Sequence, residues 1–308
     1  MTSYLITTTD RSRWPNSGHL VFIGTFCLPD DPDSLLDQYT YEIANTEIAP
    51  VDKSHYFQLS KSLHSTLSRQ LALALNQCHQ IDGSERYWSI ITGVWLRSFI
   101  DLVVSRAVVL TNIKKQHNEI IFVSIDHNKS VRAARSFSEF NKFTKSPNWN
   151  SLIISDVWGH CTAVETSTVQ IFEQPLDTPP KTSTASETKY VLTATYLPRL
   201  KEALLNLMLG SWPHRINIVQ SPNVECDETK RKELNFALKS NDEFENMLIE
   251  FVRNYLPTAY FEGFNELKFS ISQMNYPESP RAIFTSNRHL YDDVFNVWVA
   301  EATSRGTC

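Results

Sequence analysis

Glycine is scarce: 8 of 308 residues, well under the usual share of about 7%. Gly18, Gly24, Gly83, Gly93, Gly159, Gly210, Gly263 and Gly306 stand too far apart for GxGxxG or GxxxxGK[ST]. That spacing excludes a P-loop nucleotidase and a fingerprint-bearing Rossmann dehydrogenase, whose turns need clustered glycines to bring backbone N–H groups onto phosphate. The 5 cysteines, Cys27, Cys78, Cys161, Cys226 and Cys308, are odd in number and form no CxxC pair. They argue against a disulfide framework and a zinc ribbon and fit a reducing compartment. The 9 histidines give neither HExxH nor an i,i+4 pair, and His160 and Cys161 are adjacent, a spacing that cannot readily serve one metal ion. No metal site is expected. GxSxG is missing as well, so nothing supports a hydrolase nucleophile elbow.

A strong charge of either sign is also lacking. Lys and Arg number 29 against 34 Asp and Glu, a net charge of −5; with a pI near 6.0, no broad basic field gathers nucleic acid. The most apolar stretch, Trp88 to Leu110, carries Arg97, Asp101 and Arg106, so no uncharged run of about 18 residues spans a bilayer. The opening MTSYLITTTDRSRW has no charged n-region followed by an apolar core, and no signal peptide is read from it. These points predict a cytoplasmic protein, with peripheral attachment at the inner face of the membrane left open.

What is present is an ordinary globular composition, 42% hydrophobic and 20% charged, far from the signature of disorder. Ser3 to Thr8 and Leu20 to Phe26 are short runs rich in β-branched and aromatic residues, separated by Trp-Pro-Asn-Ser-Gly, and read as strands. Glu119 to Ile125, Arg215 to Val219 and Arg281 to Thr285 are three more. Leu59, Leu63, Leu67, Leu71 and Leu75 recur every fourth residue and predict an amphipathic helix over 57–79. Glu85 to Leu110 is apolar nearly all round and predicts a core helix. Further helices are expected at 131–143, 149–158, 228–255, 258–275 and 289–304, with Pro257 placed as an N1 proline. Strands alternating with helices give an α/β fold, a Rossmann-like parallel sheet flanked by helices. Gln174 to Thr188, rich in Pro, Ser and Thr, reads as a flexible loop.

In open α/β sheets ligands bind beyond the carboxyl ends of the strands. Thr7, Thr8, Thr9 and Asp10 follow the first strand, either as a hydroxyl-bearing ligand loop or as a simple turn. Thr285, Ser286 and Asn287 end the last one, where hydroxyls, an amide and free helix N–H groups hold a phosphate or sugar hydroxyl or merely cap the helix. Asp292 and Asp293 suit the positive end of that helix, as capping charges before catalytic carboxylates. Arg86 and Arg97 share a face of the core helix near Gly93 and Asp101, either as an anion-binding edge or through an Arg97–Asp101 pair. Arg106 lies among tryptophans, where packing or snorkelling is the default. Glu262 precedes Gly263 in an apolar run and is either a general base or an exposed glutamate beside a packing glycine.

Several segments together carry a family resemblance. Leu5-Ile6-Thr7-Thr8 with Trp14-Pro15 and Val21 to Cys27 resembles the opening of a bacterial transferase family associated with O-antigen and other surface-carbohydrate gene clusters. The likeness continues in Leu75-Asn76-Gln77 with His79, in Arg86-Tyr87-Trp88 and in Gly93-Val94-Trp95-Leu96. It returns at Leu256-Pro257, Tyr260, Glu262-Gly263-Phe264, and most clearly at Ser279 to Asn287 with Asp292 to Phe295 and Trp298. These blocks flank a middle stretch, about 111–250, that matches poorly. Where the family usually shows Glu-Trp-Cys this chain has Thr25-Phe26-Cys27, so a carboxylate is replaced there.

The resemblance implies the N-terminal, acceptor-binding lobe of a two-lobed, GT-B-like glycosyltransferase over 1–308, because members continue into a Gln-His-Gly-Gly-like turn and a second lobe. It implies a nucleotide sugar as donor substrate, held by a second lobe in cis or in trans, with no cofactor bound by this chain. The expected partner is a glycan or lipid-linked glycan acceptor. Around the crevice it points to Thr7, Thr8, Trp14, Arg86, Trp88, Trp95, Ser286 and Asn287 for substrate and to Glu262 as base. A non-catalytic carbohydrate-binding or assembly subunit, or one chain of a split transferase, is the competing expectation.

Overall fold

The computed structural model describes residues 2–35, 38–117, 119–123, 132–161, 190–210, 218–236, 242–274 and 276–306. In chain order the elements are β1 (Ser3–Ile6), β2 (His19–Phe22), β3 (Thr40–Ile43), α1 (Pro50–His79), α2 (Glu85–Gln116), β4 (Ile120–Phe122), α3 (Phe137–Phe143) and α4 (Pro147–Cys161). They continue with β5 (Tyr190–Thr193), α5 (Arg199–Met208), α6 (Glu228–Arg231), α7 (Glu243–Tyr255), α8 (Phe264–Ser272), β6 (Ala282–Thr285) and α9 (Asp293–Ser304). The chain divides into two compact units, one of residues 1–63, 99–132 and 142–175, the other of 64–98, 133–141 and 176–308.

The first unit holds a four-stranded sheet in the order β3-β2-β1-β4, all pairs parallel, with Leu5 beside both Val21 and Phe122. A Rossmann-like α/β fold is thus what the chain adopts. Leu5, Ile6, Leu20, Val21 and Phe22 are fully buried, which is why both runs read as continuous apolar strands rather than alternating ones. β3 was not legible: Tyr-Glu lies between Thr40 and Ile43, and at this edge Glu42 Oε1 sits 3.1 Å from His19 Nε2. A polar edge strand carries little of the hydrophobic signal from which strands are read. The leucine stripe is confirmed, with Leu63, Leu67, Leu71 and Leu75 at 0–7% exposure.

The second unit has a parallel pair, β5 with β6, and a helical core. The expected helix over 228–255 is two, α6 and α7, each opened by an aspartate that caps it: Asp227 Oδ1 accepts from the amides of Thr229 and Lys230, and Asp242 Oδ1 from that of Phe244. The helix expected over 258–275 begins instead as a 3-10 turn, Thr258–Tyr260, before α8. Pro257 fixes the entry to that turn, and Gly263 lies where a Cβ would come within 3.1 Å of Val224. The helix expected over 131–143 shortens to α3, because the Ala134 and Arg135 carbonyls accept from the amides of Thr258 and Ala259 instead of continuing a helix. The expected strand 215–219 falls largely outside the described residues, with none at 218–219; the expected loop 174–188 lies wholly outside them.

The α1–α2 turn shows what the Asn76, His79 and Trp88 segments do. Asn76 donates to the Gly83 carbonyl at 2.7 Å and accepts from the Gly83 amide at 2.9 Å and from Trp88 Nε1 at 2.7 Å. His79 lies against Trp88 and Phe264, ring centroids 5.8 and 4.5 Å away, and faces the Tyr260 carbonyl through Nε2 at 3.2 Å. Burial pushes this imidazole down to about 4, against the opposing effect of that carbonyl. The native state therefore keeps His79 neutral while the unfolded chain binds a proton near pH 6.5. Stability is expected to fall as pH drops from about 6.5 to 4, by on the order of 2 kcal/mol. Urea unfolding across that window checks it: His79→Gln is to flatten the slope, and an unchanged slope refutes the assignment.

Candidate functional site

In the second unit β5 and β6 run side by side, and a cavity of about 410 Å³ extends along them and onto the residues that follow their carboxyl ends. Tyr190, Val191 and Leu192 of β5, Ala282 and Phe284 of β6, and Leu205 and Leu209 on and just after α5 make apolar walls, while Thr195, Tyr196 and Ser286 line it as well. Apolar walls with a few fixed polar groups are the usual make-up of a small-molecule site. The Asn287 amide donates to the Tyr196 hydroxyl at 3.2 Å, and Tyr196 is 80% exposed. The Thr195 hydroxyl donates to the Glu202 carboxylate of α5.

The rim is built on a stiff base. Ala194 follows β5 with φ at 48°, a left-handed conformation that costs a side-chain-bearing residue on the order of 1 kcal/mol. Its carbonyl accepts from the Ser286 amide at 3.3 Å, tying the two strand ends. Behind them the buried Arg288 donates to Thr193 Oγ1 at 3.0 Å and meets the Asp292 carboxylate at 2.7 Å. Asp292 also caps α9 through the Phe295 amide at 2.9 Å, the capping role its position suggested; burial raises its pKa while Arg288 opposes the rise. Asp293, buried in the first turn of α9, accepts from the Tyr260 and Ser221 hydroxyls, each at 2.7 Å.

The residues expected around one crevice are distributed among four settings. Ser286 lines the cavity, and Asn287 meets it through the Tyr196 hydroxyl. Thr7, Thr8 and Trp14 lie in the first unit beyond β1: Thr7 Oγ1 is 2.9 Å from Ser151 Oγ, Thr8 Oγ1 accepts from the Asp10 amide, and Trp14 Nε1 donates to the Thr8 carbonyl at 3.0 Å. Trp88 and Trp95 are fully buried core residues, the second edge-on to Phe140. Arg86 is on the surface.

Glu262 has a position that its sequence context did not suggest. Its two oxygens accept from Arg231 Nε at 2.6 Å and Nη2 at 2.8 Å, and its side chain is 4% exposed. A carboxylate so engaged is a counter-ion, since accepting a substrate proton requires it to surrender charge-assisted hydrogen bonds. The structure places Glu262, the expected base, in an ion pair with Arg231, a residue that carried no sequence signal.

Tyr196 and α5 were likewise missed. Asn206 of α5 is buried and donates to the Glu202 carbonyl, whereas Leu200, Leu204, Leu207 and Met208 are 57–86% exposed. The helix thus turns its amide inward and its apolar side outward, and it lies in the stretch where no motif stood out. Among the described residues no group of three or more His, Cys, Asp or Glu is arranged to hold a metal ion, and no helix is long and apolar enough to cross a membrane.

Comparison with known proteins adds what geometry alone leaves open. No curated protein and no solved structure matches the chain. The family model described as LIC12162 family transferase matches residues 3–308, including the stretch 111–250 between the recognisable blocks. With nearly its whole length matched, the chain belongs to the LIC12162 family of transferases.

Proposed function

We propose that this transferase moves a sugar from a nucleotide-sugar donor in the assembly of a surface polysaccharide such as O-antigen, and that the β5–β6–α5 cavity receives a lipid-linked glycan acceptor. The observation that carries the reading is the make-up of the cavity. An exposed tyrosine ring held by an asparagine amide, with serine and threonine hydroxyls beside it, suits the face and hydroxyls of a pyranose. The apolar walls and the outward leucines of α5 suit an acyl or isoprenoid chain. The chain supplies the acceptor side in this reading, and a second lobe, in cis or in trans, the donor side, as the family resemblance of the Ser279 to Asn287 block implies. Transfer then proceeds by positioning the acceptor and stabilising the departing phosphate.

The test is binding of prenyl-linked oligosaccharides to the chain, followed by release of nucleoside diphosphate from a panel of nucleotide sugars. Ser286→Trp, which fills the cavity, is expected to weaken acceptor binding at least about 10-fold, and Tyr196→Ala by a similar factor, the loss of one or two good contacts. Acceptor binding indifferent to both variants removes the cavity from the reading. Glycan binding that supports no release with any donor or added second lobe replaces sugar transfer by a carbohydrate-binding role.

A further inference from the structure

α5 is built inside out. A helix on a protein surface ordinarily turns its polar side to water and its apolar side to the core. Here Glu202 is turned toward Thr195, whose hydroxyl donates to its carboxylate, and Asn206 is 2% exposed and donates to the Glu202 carbonyl at 2.9 Å. Leu200, Leu204, Leu207 and Met208 are 86, 59, 57 and 77% exposed and fall within roughly 100° of arc at the helical period. Apolar residues scattered singly over a surface need no explanation, whereas a continuous apolar face marks a place where something docks.

The margins of the face indicate what it meets. Arg199 lies to one side of the arc and Lys201 to the other, both exposed, and the acidic residue of the helix, Glu202, is the one turned inward. An apolar stripe flanked by cations, with the acid withdrawn, is the make-up of a helix that lies in the plane of an anionic lipid surface. A second copy of the chain laid on this face would bring the same cations to the rim from both sides, with no carboxylate of α5 to answer them. Continuity with the cavity points the same way: Leu205, on the same helix, and Leu209, just after it, line the cavity. Tyr196 and Leu197, 80 and 40% exposed, stand just before α5, and a tyrosine ring suits the depth of lipid headgroups.

We infer that α5 docks the chain on an anionic lipid bilayer, with the face of Leu200, Leu204, Leu207 and Met208 set into the interface and Arg199 and Lys201 at the headgroup phosphates. A stripe of this size on a helix of 10 residues suits reversible attachment and not a span. The inference shares α5 with the acceptor reading but rests on the outward face alone, and it is tested on lipid without glycan.

The probe is a vesicle of equimolar phosphatidylglycerol and phosphatidylethanolamine, sedimented with the full chain, with phosphatidylcholine vesicles as the neutral control. The chain is expected to sediment with the anionic vesicles, less with the neutral ones, and to be released in part by high salt. Leu200→Asp is expected to weaken the partition at least about 10-fold, and Lys201→Gln roughly 5-fold on the anionic vesicles alone. Leu73→Asp, the same change at a 58% exposed leucine of α1, is to leave binding as it was. Leu200→Asp is also to melt no lower than the unsubstituted chain, since an exposed side chain has little packing to lose. A lowered melting temperature places the face against the chain itself, and a dimer that Leu200→Asp dissociates places it against a second copy. Either result overturns the inference, as does a lack of vesicle binding, or binding that Leu200→Asp leaves intact or Leu73→Asp weakens equally. Because the vesicles hold no glycan, such a result leaves the acceptor reading standing, and failure to bind prenyl-linked oligosaccharide leaves the docking standing.

Discussion

Arg231→Ala is expected to lower the unfolding free energy by about 3–5 kcal/mol, the cost of leaving a buried charge unpaired. Arg231 is 2% exposed, and its side chain serves two structures at once. Nη1 donates to the carbonyls of Arg253 and Asn254 and Nη2 to that of Leu256, at 2.8, 3.1 and 2.7 Å; these are the orphan acceptors at the end of α7. Nε and Nη2 hold Glu262, whose Oε1 also accepts from the Asp227 amide at 3.0 Å just before α6. Truncation strands three carbonyls and a carboxylate together. Arg231→Lys cannot reproduce a five-donor planar fork and is expected to rescue little. The double variant Arg231→Met with Glu262→Leu, which removes both charges, is expected to be more stable than Arg231→Ala. Urea unfolding of the three variants decides it, and a loss under about 1 kcal/mol for Arg231→Ala refutes the assignment.

Trp88→Ala carries the second large effect, about 3–5 kcal/mol for a fully buried aromatic side chain cut to a methyl group. Trp88 is 0% exposed. It packs on His79 and Phe264, with the Phe264 ring centroid at 5.0 Å, and hydrogen-bonds to Asn76. Its indole nitrogen is also what a Cβ at Gly83 would strike, at 2.9 Å. The α1–α2 turn therefore closes only with a bare backbone at 83, and Gly83→Ala is a milder probe of the same packing. Trp88→Phe keeps most of the volume but not the donor, and is expected to cost roughly 1–2 kcal/mol. Thermal unfolding of Trp88→Ala and Trp88→Phe checks both; equal losses would mean that the hydrogen bond, not the ring, dominates.

How much could be read in advance varies with the kind of signal. β1 and β2 were legible because both faces are buried and nearly every residue is apolar, and the leucine repeat of α1 because its period is that of a helix. The end of α9's approach was legible too, since Asp292 caps where a carboxylate at a helix start is expected. Glu262 shows the opposite case. Its identity suggests acid–base chemistry, but its chemistry is set by a guanidinium 31 positions earlier, and a pairing at that separation leaves no local pattern. The cavity was half legible: Ser286 and Asn287 follow a recognisable strand, whereas Tyr196 and α5 come from a stretch whose leucines lie on the wrong side of the helix for a core.

The sequence by itself determined the class of the molecule. Its isolated glycines removed the phosphate loops that need clusters, its alternating strand and helix patterns specified an α/β chain, and its word-like blocks pointed to a transferase family. The first two are properties of neighbours along the chain, carried by composition, periodicity or spacing, and the third is a resemblance of those segments to a family. Tertiary structure alone decided which charged groups are neutralised from within. Arg231 found Glu262, and Arg288 found Asp292. Electrostatic energy depends on distance and burial in space, and the chain brings those partners together only once it has folded.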